Sequence, residues 1–511
     1  MAESRGARRV SPRRRAPTKA PSLKAPSLWL RVLALETGPL RPDLVSVPTL
    51  HRLRRVSAET KAAAEAALGR FPEVLATGGS TYPAGSPNLV CRQTAEVLDL
   101  VSMEWLLAPP GANVTAAACC AVSGGRVFVG GGSRRDDCGQ MDCICTEDVQ
   151  NGCSLFDPAT LAWRELPPLP VAVAAPLVVA LGGTVLLLGG AREPNLSDPA
   201  EARVTLSFAE YEASAADHDW DYGEIHVVTN ADGTVSIPIE TDEETGAVDA
   251  KFWRGTRECY KLEVDNPAAA WHAVQPLPRS ARGGACAVLA SGELFFAGET
   301  WTPTYLRAIS FDGRAHVAAR AADVLADLDG GAPGPWRDAA PMPATNGGVR
   351  RAGVQGACGC AALGGSRVLV VGGARAGSGA SQSALRVYDA AADAWSTLAA
   401  KMPRPLDGCG VVALGCTVLF VGGHWQERHP HQPGVVRFNA LAGACLYDVD
   451  TGRILVLPPM RVPRAGPAVA AVKRFTDGKA YRKWVLRETD GGDHDPRDDD
   501  AEREPDGCLV S

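Results

Sequence analysis

The sequence predicts an all-β fold made from six copies of one unit, on three observations. A short apolar run ending in glycine recurs as Val74–Gly79, Arg126–Gly131, Val185–Gly190, Leu294–Gly298, Val368–Gly373 and Val418–Gly423. A second short run closing on Asp follows, as in Val97-Leu98-Asp99, Leu155-Phe156-Asp157, Leu262–Asp265 and Val387-Tyr388-Asp389. A tryptophan then stands before proline-rich text at Trp105, Trp163, Trp271, Trp336 and Trp395, and aliphatic residues replace it in Arg453–Met460. Runs of four or five Val, Leu and Phe residues read as strands buried on both faces. A glycine pair at a strand end permits positive φ and close approach of a neighbouring backbone.

Doublet, Asp strand, Trp and proline turn together resemble the kelch repeat, over roughly residues 71–486. The resemblance implies a kelch-type β-propeller of six four-stranded blades, preceded by a short helical segment, with a seven-bladed ring as the alternative. A single blade cannot bury both faces, so stability needs the ring. The stretch from each Trp to the next doublet is nearly constant, apart from an extension at Ala344–Arg351. The stretch from doublet to Trp varies, and it holds the loop between a blade's second and third strands. In kelch-like propellers that loop shares one face with the loops joining blades, so recognition is expected there.

Taken in order, residues 1–25 form a basic, Ser/Pro/Ala-rich tail: a disordered tail, an import-type cluster or a transit peptide. Residues 26–69 carry a helical texture, with Ser27–Glu36 stopped by Gly38-Pro39, then Arg41–Val47, then a longer element from Pro48-Thr49 through the Ala-rich Lys61–Leu68. Leu53-Arg54-Arg55-Val56-Ser57 with its helical continuation resembles an F-box, which implies docking onto the adaptor of a cullin-type ubiquitin ligase. The alternatives are a helical lead-in, or strands of a seventh blade from Leu30–Leu35 and Leu44–Val47. Residues 70–487 form the propeller. Its first blade lacks an inner strand upstream, and Ala465–Val472 offers one that would close the ring and remove an open edge. Lys479–Leu486 is then a leftover strand, the best argument for seven blades. The third blade carries an acidic β excursion at about 193–258, and its stretch Asp217–Ile225 departs from the calcium-loop pattern. Residues 488–511 form an acidic tail expected to be disordered.

At 511 residues, 46% hydrophobic and 22% charged, the chain is large enough for a propeller and one small module. A net charge of −6 gives no sign of nucleic-acid binding, and no apolar run approaches the ~20 residues of a membrane helix. With no secretory signal visible, an intracellular place, cytoplasmic or nuclear, is expected. The fifteen cysteines then read as small buried hydrophobes such as Cys119, Cys120, Cys286, Cys358, Cys360, Cys409 and Cys416. Cys138, Cys143, Cys145 and Cys153 could hold a structural zinc, yet they lack Cys-x-x-Cys spacing and reduced loop cysteines are the competing reading. Otherwise no cofactor is expected. Cys508-Leu509-Val510-Ser511 fits a prenylation pattern, and membrane attachment is expected only if Cys508 carries the lipid.

Arginines recur after the proline turns at Arg279, Arg282, Arg350, Arg351, Arg404 and Arg464, and just beyond doublets at Arg134, Arg192 and Arg375. Trp301, His424 and Trp425 fall on the same loops. Guanidinium pairs bidentately with carboxylate and phosphate, so an acidic or phosphorylated protein ligand is expected on this face. The histidines from His424 to His431 show neither the Tyr/Cys/His/His set of copper oxidases nor the Glu-x3-Asp-x3-His of iron-dependent specifier proteins, both kelch-like. The expectation is a protein-binding module, as the receptor subunit of a ubiquitin ligase, with a scaffold or a galactose-oxidase-like enzyme as alternatives.

Overall fold

The structure is a computed structural model that describes residues 46–56, 58–81, 90–134, 148–199, 201–207, 228–239, 253–266, 268–281, 283–298, 315–318, 324–325, 336–343, 354–355, 359–375, 381–428 and 436–490. Six four-stranded antiparallel sheets form the blades of a β-propeller. The inner strands are Ala468–Val472, Ala118–Val122, Leu177–Leu181, Gly284–Val288, Gly359–Ala362 and Gly410–Leu414, for blades one to six. Each neighbours the inner strand of the next blade, and Gly410–Leu414 neighbours Ala468–Val472, so the ring closes at six. Closure follows the expected route: Ala468–Val472 comes from the end of the propeller and pairs with Glu73–Thr77, Glu73 opposite Val472 and Thr77 opposite Ala468.

Three links between blades explain the repeating residues. The first is the tryptophan on the outer strand. The Nε1–H of Trp105 donates to Pro458 O (3.1 Å), Trp163 to Pro109 O (3.1 Å), Trp271 to Pro167 O (2.9 Å) and Trp395 to Ala340 O (2.7 Å). In each case the carbonyl belongs to the preceding blade, and in three of the four it is that of a motif proline, so the Trp and the proline turn are partners across blades. The ring meanwhile fills the gap between sheets, as Trp163 does in the cluster that joins Val97 and Ala108 of blade one to Val127 and Phe156 of blade two.

The second link is the glycine doublet. Its second N–H donates to the entry loop of the next blade, from Gly79 to Val114 O (2.9 Å), Gly132 to Val173 O (2.8 Å), Gly190 to Ala281 O (2.9 Å) and Gly423 to Arg464 O (2.8 Å). Both glycines of each doublet hold positive φ, for example +65° and +81° at Gly78 and Gly79. A Cβ at Gly78 would stand 2.5 Å from Val114 O, so the neighbouring carbonyl occupies the space a side chain would need. In blade two the working pair is Gly131–Gly132, one residue later than the motif suggests, because Gly130 still belongs to the strand.

The third link is a buried ion pair where blade six meets blade one. Arg464 and Glu96 are both fully buried, 3.1 Å apart. Arg464 also donates to Gly78 O (2.7 Å), Thr94 O (2.9 Å) and Thr94 Oγ1 (2.9 Å), while Glu96 accepts the N–H groups of Arg461 and Val462. A charge pair removed from water persists only where hydrogen bonds compensate it, and here they engage both terminal nitrogens of Arg464, while its Nε has no partner.

Helices flank the ring. Helix α1 (Val47–Leu53) and helix α2 (Ala58–Leu68) put Val47, Leu50 and Leu68 into one core with Leu98, Trp105, Leu419 and Leu446 of blades one and six. Ser46 Oγ–H donates to Asp448 (2.7 Å), Val47 N–H to Thr417 Oγ1 (3.0 Å) and Arg54 to Val101 O (2.6 Å). Residues 26–45 lie outside the described residues. The leftover strand Lys479–Leu486 is instead helix α3 (Lys479–Asp490), which removes the argument for a seventh blade. Tyr481, Trp484 and Val485 share one face of it and pack near Phe475 and Phe156. In the third blade's excursion, Arg203–Ser207, Val228–Thr229 and Thr234–Pro238 form a three-stranded sheet.

Breaking the Arg464–Glu96 pair leaves one charge buried and unpaired. Arg464→Met is expected to cost about 3–5 kcal/mol in equilibrium denaturant unfolding, with much of it recovered in Arg464→Met/Glu96→Leu.

Candidate functional site

The strand ends that carry the segments of varying length lie on one face, around the mouth of the central channel. Each inner strand starts there, directly after the blade-joining loop, and each second strand ends there at its doublet. The blade entries are tied to one another by a chain of peptide hydrogen bonds around the axis. Gly283 N–H donates to Ala175 O (2.9 Å), Ala175 to Ala116 O (2.9 Å), Ala116 to Gly466 O (3.1 Å) and Gly466 to Gly408 O (3.0 Å). All five residues hold positive φ, including Ala116 at 51° and Ala175 at 48°. Such a conformation costs about 1 kcal/mol in an alanine, and its recurrence shows the ring imposing it.

These residues edge a cavity of about 310 Å³ at the mouth, lined chiefly by Gly, Ala and Pro with Ser80, Thr115, Leu177, Cys409 and His424. A narrower space of about 190 Å³ below it reaches a layer made by Cys119, Val178, Cys286, Cys360, Val411 and Val469, one from each blade. Burial pushes the Cys286 thiol up to about 12 and that of Cys119 higher still, so these groups remain neutral at physiological pH and act as small hydrophobes.

The repeat itself identifies the unusual residues at the mouth. Just past each doublet the chain pairs back onto the entry to the same blade: Ser80 with Ala465, Ser133 with Thr115, Ala191 with Ala174, Ala374 with Gln355, and His424 with Asp407. The backbone does the same thing in every copy, with reciprocal bonds of 2.8–2.9 Å between Asp407 and His424. Only blade six, among these five, carries ionisable side chains at the two positions. His424 Nε2 lies 2.5 Å from Asp407 Oδ1, the carboxylate is 2% exposed, and Ser381 Oγ–H donates to its other oxygen at 3.2 Å. Gly408, at φ +60°, leaves room for the ring, since a Cβ there would come within 3.1 Å of His424 Nδ1. The sequence singled out His424 but not Asp407, whose role shows only once the strands are in register.

The other expected site residues are scattered in their circumstances. Arg134 and Arg404 are exposed and Arg279 is half-buried. Trp425 is half-buried on the strand His424–Arg428, and Arg375 lies on a short strand paired with Val354. Arg192 makes two hydrogen bonds to Glu201, at 2.9 and 2.6 Å, which bind it to the excursion of its own blade. Arg464 corrects the expectation outright: it is the buried partner of Glu96, so it is unavailable to a ligand. Arg282, Trp301, Arg350, Arg351, Cys138, Cys143, Cys145 and Cys508 lie outside the described residues. Cys153 packs with Phe128 and Leu155, and burial raises its thiol to about 12. Among the described residues no group of three or more His, Cys, Asp or Glu is placed to hold a metal.

No protein-family model matches the chain, and no curated protein matches it. A solved structure described as "Structure of YjhT" is similar at 12% identity, covering 76% of this chain and 98% of that one, with a TM-score of 0.45. The six-bladed assignment therefore rests on the strand pairing described above.

The Arg192 guanidinium, through its hydrogen bonds, holds Glu201 down to about 2. A depressed carboxylate contributes stability that is present above its ordinary value and lost as pH falls through the depressed one. Side-chain NMR titration is expected to give Glu201 a midpoint near 2, and Arg192→Ala to raise it toward the usual glutamate range, while the Asn195 N–H and Arg254 still favour the carboxylate.

Proposed function

We propose that this chain is a kelch-type binding module whose loop-bearing face captures a protein ligand. The observation that carries the reading is the division of labour within each unit. The Trp, doublet and entry contacts recur between blades, while the strand ends that bear the segments of varying length surround one channel mouth. A rigid ring that presents variable hairpins on one face suits recognition, because the loops can differ without disturbing the core. The exposed guanidinium groups of Arg134 and Arg404 favour an acidic or phosphorylated ligand.

The finer reading, a ligase receptor with an F-box, draws less support. The apolar residues Val47, Leu50 and Leu68 of its described helices are buried against blades one and six. We therefore assign α1 and α2 to bracing the joint between those blades.

The test is binding to an array of acidic and phosphorylated peptides, comparing the full chain with Arg134→Glu/Arg404→Glu. Capture is expected to fall at least about tenfold with the thermal midpoint unchanged, since each lost charge-assisted pair is worth roughly 1.5–3 kcal/mol. Equal capture by the variant would contradict the reading.

A further inference from the structure

The outer strands of the blades follow one pattern, and two blades break it. The two residues after the tryptophan position are polar and exposed in blades two, four and five, as Arg164-Glu165, Arg337-Asp338 and Ser396-Thr397, and are His272-Ala273 in blade three. Blades one and six, which meet at the seam, carry Leu106-Leu107 and Leu455-Val456 there instead. An outer strand is the edge of its sheet, with a row of backbone groups facing outward, and apolar side chains on such an edge mark a place where another segment packs. Blade one shows what meets them. Leu106 shares a core with Tyr481, Trp484 and Val485 of α3, and the Tyr481 hydroxyl donates to Leu107 O at 2.8 Å, so both leucines are half-buried. In blade six Leu455 is 38% exposed and Val456 56%.

We propose that residues 28–35 of this chain, which lie outside the described residues, cover the outer edge of blade six as α3 covers that of blade one. Seven of those eight residues are apolar, Arg31 being the exception, so the run has its own surface to remove from water. The tether sets the place. The described chain begins at Ser46, whose hydroxyl donates to Asp448 at 2.7 Å, and Asp448 stands opposite Arg453 at the start of the outer strand. Val456 lies about 10 Å further along that strand, whereas residues 36–45 reach about 33 Å when extended. A segment held so close acts at a roughly millimolar effective concentration, so neither a second copy nor a separate protein reaches the edge as readily. The contact is separate from ligand capture, because the edge lies on the rim of the propeller and not at its mouth.

The full chain with the photo-reactive p-benzoylphenylalanine in place of Val456 tests this directly. Irradiated at low micromolar concentration and digested, it is expected to give a product of monomer mass joined to residues 28–35. The yield should be at least about fivefold above that of the same label in place of Thr397, the matching edge position of blade five. A product of dimer mass, a product joined elsewhere in the chain, equal yields at the two positions, or no product overturns the proposal. A second measurement reads the edge itself. In Trp29→Asp/Leu33→Asp, amide hydrogen exchange of Arg453–Leu457 should be at least about tenfold faster, with the outer strand of blade two, Ala162–Leu166, unchanged. Unchanged exchange of Arg453–Leu457 in the folded variant also overturns it. The cross-link, made on a chain with residues 28–35 intact, decides the question even where that variant does not fold.

Discussion

The hydrogen bond from the second glycine of each doublet to the entry loop of the next blade is the contact on which the ring depends. It requires two things of the sequence at once. Positive φ must turn the N–H sideways out of its own sheet, and the absence of Cβ must let the neighbouring carbonyl approach. At Gly131 and Gly422 a Cβ would stand 2.6 Å from that oxygen, as it would at 2.5 Å in Gly78. Any side chain therefore meets strain and collision together. The tryptophan link runs back to a carbonyl of the preceding blade, so blades one, two, three and five are held forwards at the doublet and backwards at the indole.

Blade one shows what this arrangement demands at the seam. Its inner strand arrives from residues 468–472, and the joint is reinforced more heavily than elsewhere among the described blades. The buried Arg464–Glu96 pair fixes the entry loop, α1 and α2 cover the outer side between blades six and one, and Glu73 accepts the N–H of Phe475 at 2.9 Å while its other oxygen takes the Thr476 hydroxyl. Burial raises Glu73 above the usual carboxylate range, opposed by those hydrogen bonds. A chain that closes a ring with its last strand has a seam that can open, and these contacts concentrate there.

How much of this was legible followed from how local each signal is. Doublet, Asp strand and Trp are short-range patterns, and they located the blades and the closing strand. The partners across blades were not legible, because the Trp and the proline that receives its N–H belong to different copies. Lys479–Leu486 was misread as a strand although Tyr481, Trp484 and Val485 already stand at helical spacing, since a leftover apolar segment beside six blades invites a seventh. Arg464 reads as a loop cation because loop arginines look alike in sequence. The missed signal was Glu96, a charge set inside the strand Ala95–Asp99 that could only persist with a buried partner. His424 was visible as an unusual residue, whereas Asp407 became meaningful only against the equivalent positions of other blades.

Inter-blade approach, more than local backbone freedom, makes the doublets glycine. The most direct measurement compares Gly131→Ala with Gly182→Ala by equilibrium denaturant unfolding. Both positions hold φ near +65°, but a Cβ at Gly182 meets nothing within 4 Å, whereas one at Gly131 meets Val173 O at 2.6 Å. Gly182→Ala should cost only the conformational penalty of about 1 kcal/mol, and Gly131→Ala at least about 2 kcal/mol more. Equal losses at the two positions would contradict the claim.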